Sequence, residues 1–166
     1  MPGSSPPWSV RRASPDDAAA CAAVHHASWV ETYATLLPAG HWRSDTQERR
    51  TATWRRWLAG DGVVPVVESG ARIVGLAFAA ASRHVGEHQP VRVREVYLLY
   101  VLASYHGTGA GQALLDVVVP PHEPGQLWVA ESNPRARRFY ERNGFVPDGA
   151  RTVDEQLGLA VVRHVR

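Results

Sequence analysis

The segment YHGTGAG, residues 105–111, carries three glycines on alternate positions, immediately before the run QALLDVVV, which is predicted to be a helix. Each glycine destabilises a helix by about 1 kcal/mol relative to alanine, so three glycines at a helix start indicate that another role offsets this cost. A strand that runs into a glycine turn and then a helix gathers backbone N–H groups and the positive end of the helix dipole around one point, where a phosphate can bind. The spacing G-x-G-x-G differs from the dinucleotide fingerprint G-x-G-x-x-G. This segment by itself therefore indicates either a phosphate-binding turn or a tight turn that binds nothing.

The segment HVGEH, residues 84–88, matches the metalloprotease pattern H-x-x-E-H. A zinc site of that kind needs both histidines one turn apart on a helix. Gly86 and Pro90 instead predict a loop between strands. No other spacing of histidine or cysteine suggests a metal site, so we expect no metal.

Composition and charge exclude several classes of protein. The 166 residues, 45% of them apolar, suffice for one globular domain with a core. All eighteen basic residues are arginine, which excludes a Schiff-base lysine enzyme and a lysine-bearing phosphate loop. The net charge of +2 predicts no nucleic-acid partner, and no apolar run approaches the ~20 residues that span a membrane. The start MPGSSPPWSV lacks a basic leader with an apolar run, and the single Cys21 agrees with a reducing compartment, so we expect a cytoplasmic protein.

The elements that must position these residues alternate along the chain. A helix is predicted from Ser14, with Asp17 as its reciprocal cap, and a second helix from Ser44, with Gln47 in the same role. Three β-rich runs follow, then the helix GQALLDVVV, the strand LWVAE, the helix RARRFYERN and two final strands. The order ααβββαβαββ predicts an α/β (α+β) fold in which helices cover both faces of a central mixed sheet.

Two longer segments carry a resemblance to a known family. The stretches LLYVLASYHGTGAGQALL and LWVAESNPRARRFYERNGF resemble, in order and separation, the two core motifs of the GCN5-related N-acetyltransferase (GNAT) family. The first motif of that family has the form φ-x-V-x-P-x-[YF]-[RQ]-x-x-G-x-[GA], where φ is apolar, and the second has the form N-x-x-A-x-x-[FL]-Y-x-x-x-G-F. The likeness is close from Val93 to Gly149. It implies a single domain over residues 10–166, with a mixed, mostly antiparallel sheet of roughly six to seven strands flanked by about four helices. Residues 1–9, rich in Pro, Ser and Gly, predict a flexible tail ahead of it.

The resemblance implies acetyl-CoA as the acyl donor. It places residues 99–101 along the pantetheine arm, the backbone N–H groups of residues 107–112 on the pyrophosphate, and Asn133 at a further cofactor contact that is compatible with capping a helix. His106 stands where the family has Arg or Gln, which weakens one phosphate contact or makes it pH-dependent. The implied cofactor-binding residues are Leu99, Tyr100, Val101, His106, Gly107, Thr108, Gly109, Ala110, Gly111, Gln112 and Asn133.

Two residues are candidates for catalysis. An alkylamine with a pKa near 10 is neutral in only about one molecule in a thousand at pH 7, so freeing the nucleophile costs about 4 kcal/mol. Glu95 occupies the position at which the histone-modifying branch of the family keeps its general base, and an ion pair with Arg94 or Arg92 is the alternative. Tyr140 matches the tyrosine that donates a hydrogen bond to the departing CoA thiolate, and a core aromatic is the alternative.

The acceptor is the least determined part of the predicted function. In the resembled family the two N-terminal helices form one wall of the acceptor pocket, and here they carry aromatic residues at a spacing more typical of a core than of a ligand cage. Trp29 and Tyr33 are the candidate acceptor contacts, and ASWVETYATLLP resembles small-amine, polyamine and antibiotic acetylators alike. We therefore expect a small-molecule primary amine as the partner and leave a homodimer open. A protein or peptide acetyltransferase and a non-catalytic acyl-CoA-binding module are the alternatives.

Overall fold

The computed structural model describes residues 7–166, in which seven strands and five α-helices follow the order βαααβββαβαββ. The strands are β1 (Ser9–Arg12), β2 (Pro65–Ser69), β3 (Arg72–Ala81), β4 (Arg94–Val101), β5 (Gln126–Ala130), β6 (Val146–Asp154) and β7 (Leu159–Val165). The helices are α1 (Ala18–Tyr33), α2 (Ala39–Ser44), α3 (Gln47–Leu58), α4 (Ala110–Val118) and α5 (Pro134–Arg142).

The strands form one mixed sheet in the order β1-β2-β3-β4-β5-β7-β6. Neighbours β1 and β2, β2 and β3, β5 and β7, and β6 and β7 are antiparallel, whereas β4 and β5 are parallel, with Glu95 opposite Gln126 and Val96 opposite Leu127. Parallel neighbours need a crossover connection, and the chain between β4 and β5 supplies it through α4. The mostly antiparallel mixed sheet with flanking helices confirms the predicted fold class.

The chain divides into two compact units. The first contains the described residues up to Phe78 together with Leu98–Val118, and the second contains Ala79–Tyr97 together with Val119–Arg166. In the first unit α1 packs on α3, and α4 packs on β2. The core residues Trp54, Leu76, Leu114 and Leu115 of the first unit and Leu127, Phe145 and His164 of the second are completely buried.

The predicted order omits β1 and α2. The sequence of β1, SVRR, has no apolar alternation, and this strand is held by pairing with β2 and by Arg11, which donates to Glu68 of β2 at 2.8 Å. Helix α2 has six residues, too few for a helical period to be recognised. Residues 1–6 of the predicted tail lie outside the described residues, while Ser9 is the first residue of β1.

The predicted start of the second helix, at Ser44, is wrong. Ser44 is the last residue of α2, and α3 begins at Gln47 after its own N-cap, Thr46. The Thr46 hydroxyl accepts the backbone N–H of Arg49 at 3.3 Å, the bond that an N-cap side chain makes. A serine and a threonine two residues apart are equivalent in propensity, so only the structure distinguishes them.

Candidate functional site

The glycine turn connects β4 to α4 in the first unit. After a 3₁₀ turn at Ala103–Tyr105, Gly107 and Gly109 adopt φ angles of +77° and +88°, and residues 110–112 form the first turn of α4. Residues with a side chain rarely adopt this left-handed conformation, which explains glycine at both positions. A Cβ placed on Gly107 would meet no described heavy atom within 4 Å. The turn and the N-terminal end of α4 thus form an open cradle lined by backbone, an arrangement suited to phosphate.

Two side chains of the turn fold back onto the backbone beside it. Nε2 of His106 lies 2.8 Å from the carbonyl oxygen of Val101, a bond that requires a proton on Nε2. The Thr108 hydroxyl donates to the carbonyl oxygen of Tyr105, also at 2.8 Å. These bonds tie the turn to the end of β4, so that His106 serves the turn as an internal brace. A direct contact of His106 with phosphate stays a prediction.

Residues 99–101 are the last three residues of β4 and lead into the turn. The phenol oxygen of Tyr100 accepts the indole N–H of Trp29 at 2.6 Å, and its ring stacks on His25 with the ring centroids 5.1 Å apart. Burial, with a further contribution from Arg50, lowers the pKa of His25 to about 3, so this imidazole is neutral at pH 7. The side chain of Tyr100 is therefore held from α1 by uncharged partners.

The candidate acceptor contacts, Trp29 and Tyr33, lie in an aromatic cluster of the first unit. Their rings meet edge to face, with the centroids 5.5 Å apart. Trp29 also stacks with His41 at a centroid distance of 5.6 Å, and the guanidinium carbon of Arg50 lies 4.5 Å from its ring centroid. Tyr33 is 7% exposed. The cluster is a packed wall, as aromatic residues at helical spacing usually are; a contact with the acceptor stays a prediction.

Glu95 lies at the start of β4 in the second unit, and the residue is only 1% exposed. Its Oε1 accepts from Nε and Nη2 of Arg83 at 3.1 and 2.8 Å. Its Oε2 accepts the backbone N–H of Arg83 at 3.2 Å and the side-chain amide of Gln126 at 3.0 Å. The alternative interpretation of Glu95 named Arg94 or Arg92 as the ion-pair partner, whereas the ion pair in the structure is formed with Arg83.

Gln126, opposite Glu95 on β5, completes a buried polar network. Its side-chain oxygen accepts the backbone N–H groups of Val91 and Arg92 at 2.9 and 3.0 Å. Glu95 and Gln126 together therefore hold both ends of the β3–β4 loop, residues 82–93. Sequence reasoning missed Arg83 and Gln126. They bond to Glu95 across 12 and 31 residues of chain, so no local spacing could have indicated either of them.

Asn133 and Tyr140 lie on α5 in the second unit. The Asn133 side chain accepts the backbone N–H of Ala136 at 3.1 Å, which confirms its predicted role as the N-cap. Tyr140 is 8% exposed, and its ring contacts those of Phe139 and Phe145 at centroid distances of 5.2 and 6.0 Å. The ring is thus part of the core of this unit. That packing is compatible with a hydroxyl that acts on a leaving group, so the catalytic role stays a prediction.

The HVGEH segment is a loop, as predicted. Val85 and His88 exchange backbone hydrogen bonds at 3.1 and 3.0 Å, and Nε2 of His88 lies 3.0 Å from the carbonyl oxygen of Arg151. Within residues 7–166 the structure shows no group of three or more His, Cys, Asp or Glu side chains that could hold a metal ion. No helix in the same stretch is long and apolar enough to cross a membrane.

Comparison with known proteins identifies acetyltransferases both by a family model and by individual relatives. Residues 41–161 match the model of the Acetyltransferase (GNAT) domain. The chain is 28% identical over 170 aligned residues to a probable N-acetyltransferase of Mycobacterium tuberculosis, covering 94% of this chain and 90% of that protein. It is 30% identical over 139 residues to an uncharacterised N-acetyltransferase of Archaeoglobus fulgidus, covering 79% of this chain and 88% of that protein.

Solved structures share the fold at lower sequence identity. A Corynebacterium glutamicum protein described as histone acetyltransferase HPA2 and related acetyltransferase superposes with a TM-score of 0.70 at 21% identity, covering 95% of this chain and 94% of that one. The PaiA N-acetyltransferase of Thermoplasma acidophilum, solved in complex with coenzyme A, superposes with a TM-score of 0.65 at 18% identity. The superposition covers 94% of this chain and 97% of that one.

Proposed function

Because the chain belongs to the GNAT acetyltransferase family, and so is an acetyl-CoA-dependent N-acetyltransferase, we propose that it acetylates the primary amine of a small molecule. The proposal places it with the small-amine, polyamine or antibiotic acetylators. The observation that carries the placement of the cofactor is the glycine turn, with two left-handed glycines ahead of α4 and open space in front of Gly107.

The glycine turn fits the pyrophosphate of CoA. A Cβ on Gly107 would point into open space, which in this proposal receives a phosphate oxygen, and residues 110–112 add the positive end of the α4 dipole. In this proposal the backbone of residues 107–112 binds the pyrophosphate, the end of β4 binds the pantetheine arm, and Asn133 contacts the cofactor. When bound, acetyl-CoA supplies an activated thioester.

The aromatic cluster of the first unit supports a small-molecule acceptor. The rings of Trp29, Trp54 and Tyr100 surround a neutral His25, and Tyr33 packs on Trp29. The nearby charge of Arg50 is paired with Asp45 through two hydrogen bonds of 2.6 Å. This aromatic surface, on which the charge of Arg50 is neutralised by Asp45, suits a small ligand with apolar parts. Pockets for small molecules are mostly apolar and contain a few polar groups at defined positions.

Glu95 is the proposed acceptor of the amine proton. Both of its oxygens already accept two hydrogen bonds each, and the residue is 1% exposed. Because the residue is buried, a proton from the amine reaches the carboxylate through a water, and one of these four hydrogen bonds opens to receive it. A general base can accept a proton through one water, so the four hydrogen bonds of Glu95 are compatible with its proposed role as the general base.

Tyr140 is the proposed donor to the departing thiolate. A phenol with a pKa near 10 is mismatched to a thiol near 8.5 by about 2 kcal/mol for complete proton transfer. A hydrogen bond that strengthens as negative charge grows on sulfur needs no such transfer. We therefore assign Tyr140 charge stabilisation, with its ring fixed by Phe139 and Phe145.

The experiment that tests the proposal measures CoA release with acetyl-CoA across polyamines, other alkylamines, aminoglycosides and peptides. We expect release with at least one small amine and a lower kcat/KM for every peptide. A preference for peptides would overturn the small-molecule acceptor. Tight CoA binding without release on any acceptor would favour the non-catalytic module.

A further inference from the structure

Trp8, directly before β1, is held in place on both sides of its backbone. The carbonyl oxygen of Pro7 accepts the hydroxyl of Ser69 at 2.9 Å. Ser9 pairs with Glu68 in the β1–β2 ladder. The backbone that carries the indole is therefore anchored to the end of β2, within the same unit as the glycine turn.

The indole of Trp8 lies against the glycine turn. A Cβ built on Gly109 would lie 3.7 Å from Cζ2 of Trp8, which is ordinary van der Waals contact. Cζ2 and Nε1 are both bonded to Cε2 of the indole, so the N–H group is two bonds away from the ring atom that faces Gly109. One edge of this tryptophan thus borders the cradle formed by the turn.

The indole N–H of Trp8 is a buried donor without an acceptor among residues 7–166. Buried polar groups are nearly always hydrogen-bonded, because leaving one unsatisfied costs on the order of 1–3 kcal/mol. An unsatisfied N–H donor near a phosphate-binding turn can donate to an anionic phosphate oxygen. Hydrogen bonds to charged acceptors are stronger than hydrogen bonds between neutral groups.

We propose that Trp8 is a cofactor-binding residue whose indole N–H donates to a pyrophosphate oxygen of CoA held at the glycine turn. The proposal rests on the placement of CoA argued under Proposed function. It adds a side-chain donor from the N-terminal segment to a site otherwise built from backbone. It also explains why a bulky indole stands beside a glycine that must stay small.

The test compares CoA affinity by calorimetry for the wild type, Trp8→Phe and Trp8→Ala, with Trp42→Phe of α2 as the matched control. Loss of a hydrogen bond to a charged group should raise the Kd for CoA about tenfold in Trp8→Phe. Trp8→Ala should weaken binding at least as much, because the ring contact is lost too. Trp42→Phe should bind as the wild type does. ADP, which carries a pyrophosphate without the pantetheine arm, should lose affinity by a similar factor in Trp8→Phe.

The outcomes separate this proposal from the one on which it rests. Unchanged or tighter CoA binding in Trp8→Phe, with Gly109→Val unable to bind, overturns the role of Trp8 and leaves the placement of CoA standing. CoA binding by Gly109→Val with wild-type affinity overturns that placement and the Trp8 donor with it. The melting temperature of each variant without ligand shows that it is folded, so a weakened affinity is attributable to the site.

Discussion

The glycine turn of the first unit and the Glu95 network of the second are built in opposite ways. The turn is local: its glycines, its His106 brace and the start of α4 all lie within residues 99–112. The network joins Glu95, Arg83 and Gln126, and with them the two ends of the β3–β4 loop, across separations of up to 35 residues. A local site tolerates loss of a side chain because its binding groups are backbone atoms. A network of side chains depends on every member.

The difference predicts where each site is vulnerable. Backbone conformation is the sensitive variable at the turn, so a residue that cannot adopt positive φ should remove binding outright. The Glu95 network depends on charge and on hydrogen-bond partners, so a substitution of the same shape should reduce stability or activity without abolishing it. The following substitutions test this contrast.

Gly109→Val should have the largest effect. At a CoA concentration of 100 times Kd, binding stabilises the native wild type by about 2.7 kcal/mol, and we expect the variant to show none of the corresponding rise in melting temperature. The φ of +88° strains valine, which should lower the stability of the free protein by about 1–3 kcal/mol.

Gly149→Val is its matched control. Gly149 has a φ of +92° and no described heavy atom within 4 Å of an added Cβ, so the backbone strain is similar away from the turn. It should lose stability and keep the full CoA-induced shift. Loss of the shift in both variants would show that strain, and not the position in the turn, abolishes binding.

Tyr140→Phe should lower kcat by roughly 10²-fold with little change in the Kd for acetyl-CoA, because the hydroxyl acts as charge develops on sulfur. Tyr97→Phe is the control, since it removes a phenol whose hydroxyl donates to the carbonyl oxygen of Ala81. That variant should lose about 1 kcal/mol of stability and keep its kcat. A normal kcat in Tyr140→Phe with weakened acetyl-CoA binding would mark Tyr140 as a structural residue.

Glu95→Gln should lower kcat/KM near neutral pH by about tenfold or more if the carboxylate accepts the amine proton. The defect should shrink toward pH 9.5, because about a quarter of an amine with a pKa near 10 is then already neutral without help, against about one molecule in a thousand at pH 7. The pH profile of kcat/KM from pH 6 to 9.5 measures this. A profile parallel to that of the wild type would remove Glu95 from proton transfer.

The double variant Glu95→Gln with Gln126→Glu sharpens the same question. It moves the carboxylate to the paired position on β5 and preserves the count of donors and acceptors between the two strands. If the network only holds the β3–β4 loop, the exchange should recover stability and activity together. If Glu95 is the base, stability should recover and the rate should not.

His25 should affect stability only in acid, so at neutral pH its effect is the smallest of the set. Its folded-state pKa of about 3 lies below the unfolded value near 6.5, so the stabilisation is complete above pH 6.5 and is lost as pH falls toward 3. The slope in that window should be about 1.4 kcal/mol per pH unit. His25→Gln should remove this contribution in urea melts from pH 7 to 4.5, whereas His84→Gln, at an exposed loop residue, should keep it.

Much of the fold was predictable because short-range chemistry decides it. Ser14 donates its backbone N–H to Asp17 at 2.7 Å, and Asn133 caps α5 as its sequence context predicts. Gly107 and Gly109 form a turn ahead of a helix, as their clustering predicts, and both have positive φ. Strand β1 and helix α2 were unpredictable because four or six residues carry too little periodicity, and pairing with β2 stabilises β1 from outside its own sequence.

The sequence by itself determined the family motifs, the element types and the turn that suits a phosphate, because each depends on residues within one or two helical turns of each other. The tertiary structure alone decided that Arg83 and Gln126 share the carboxylate of Glu95 and that Trp8 lies beside Gly109. These contacts join segments separated by 12 to about 100 residues, and strand pairing and packing bring them together. A side chain's partners across a sheet depend on register, and register is a property of the whole fold.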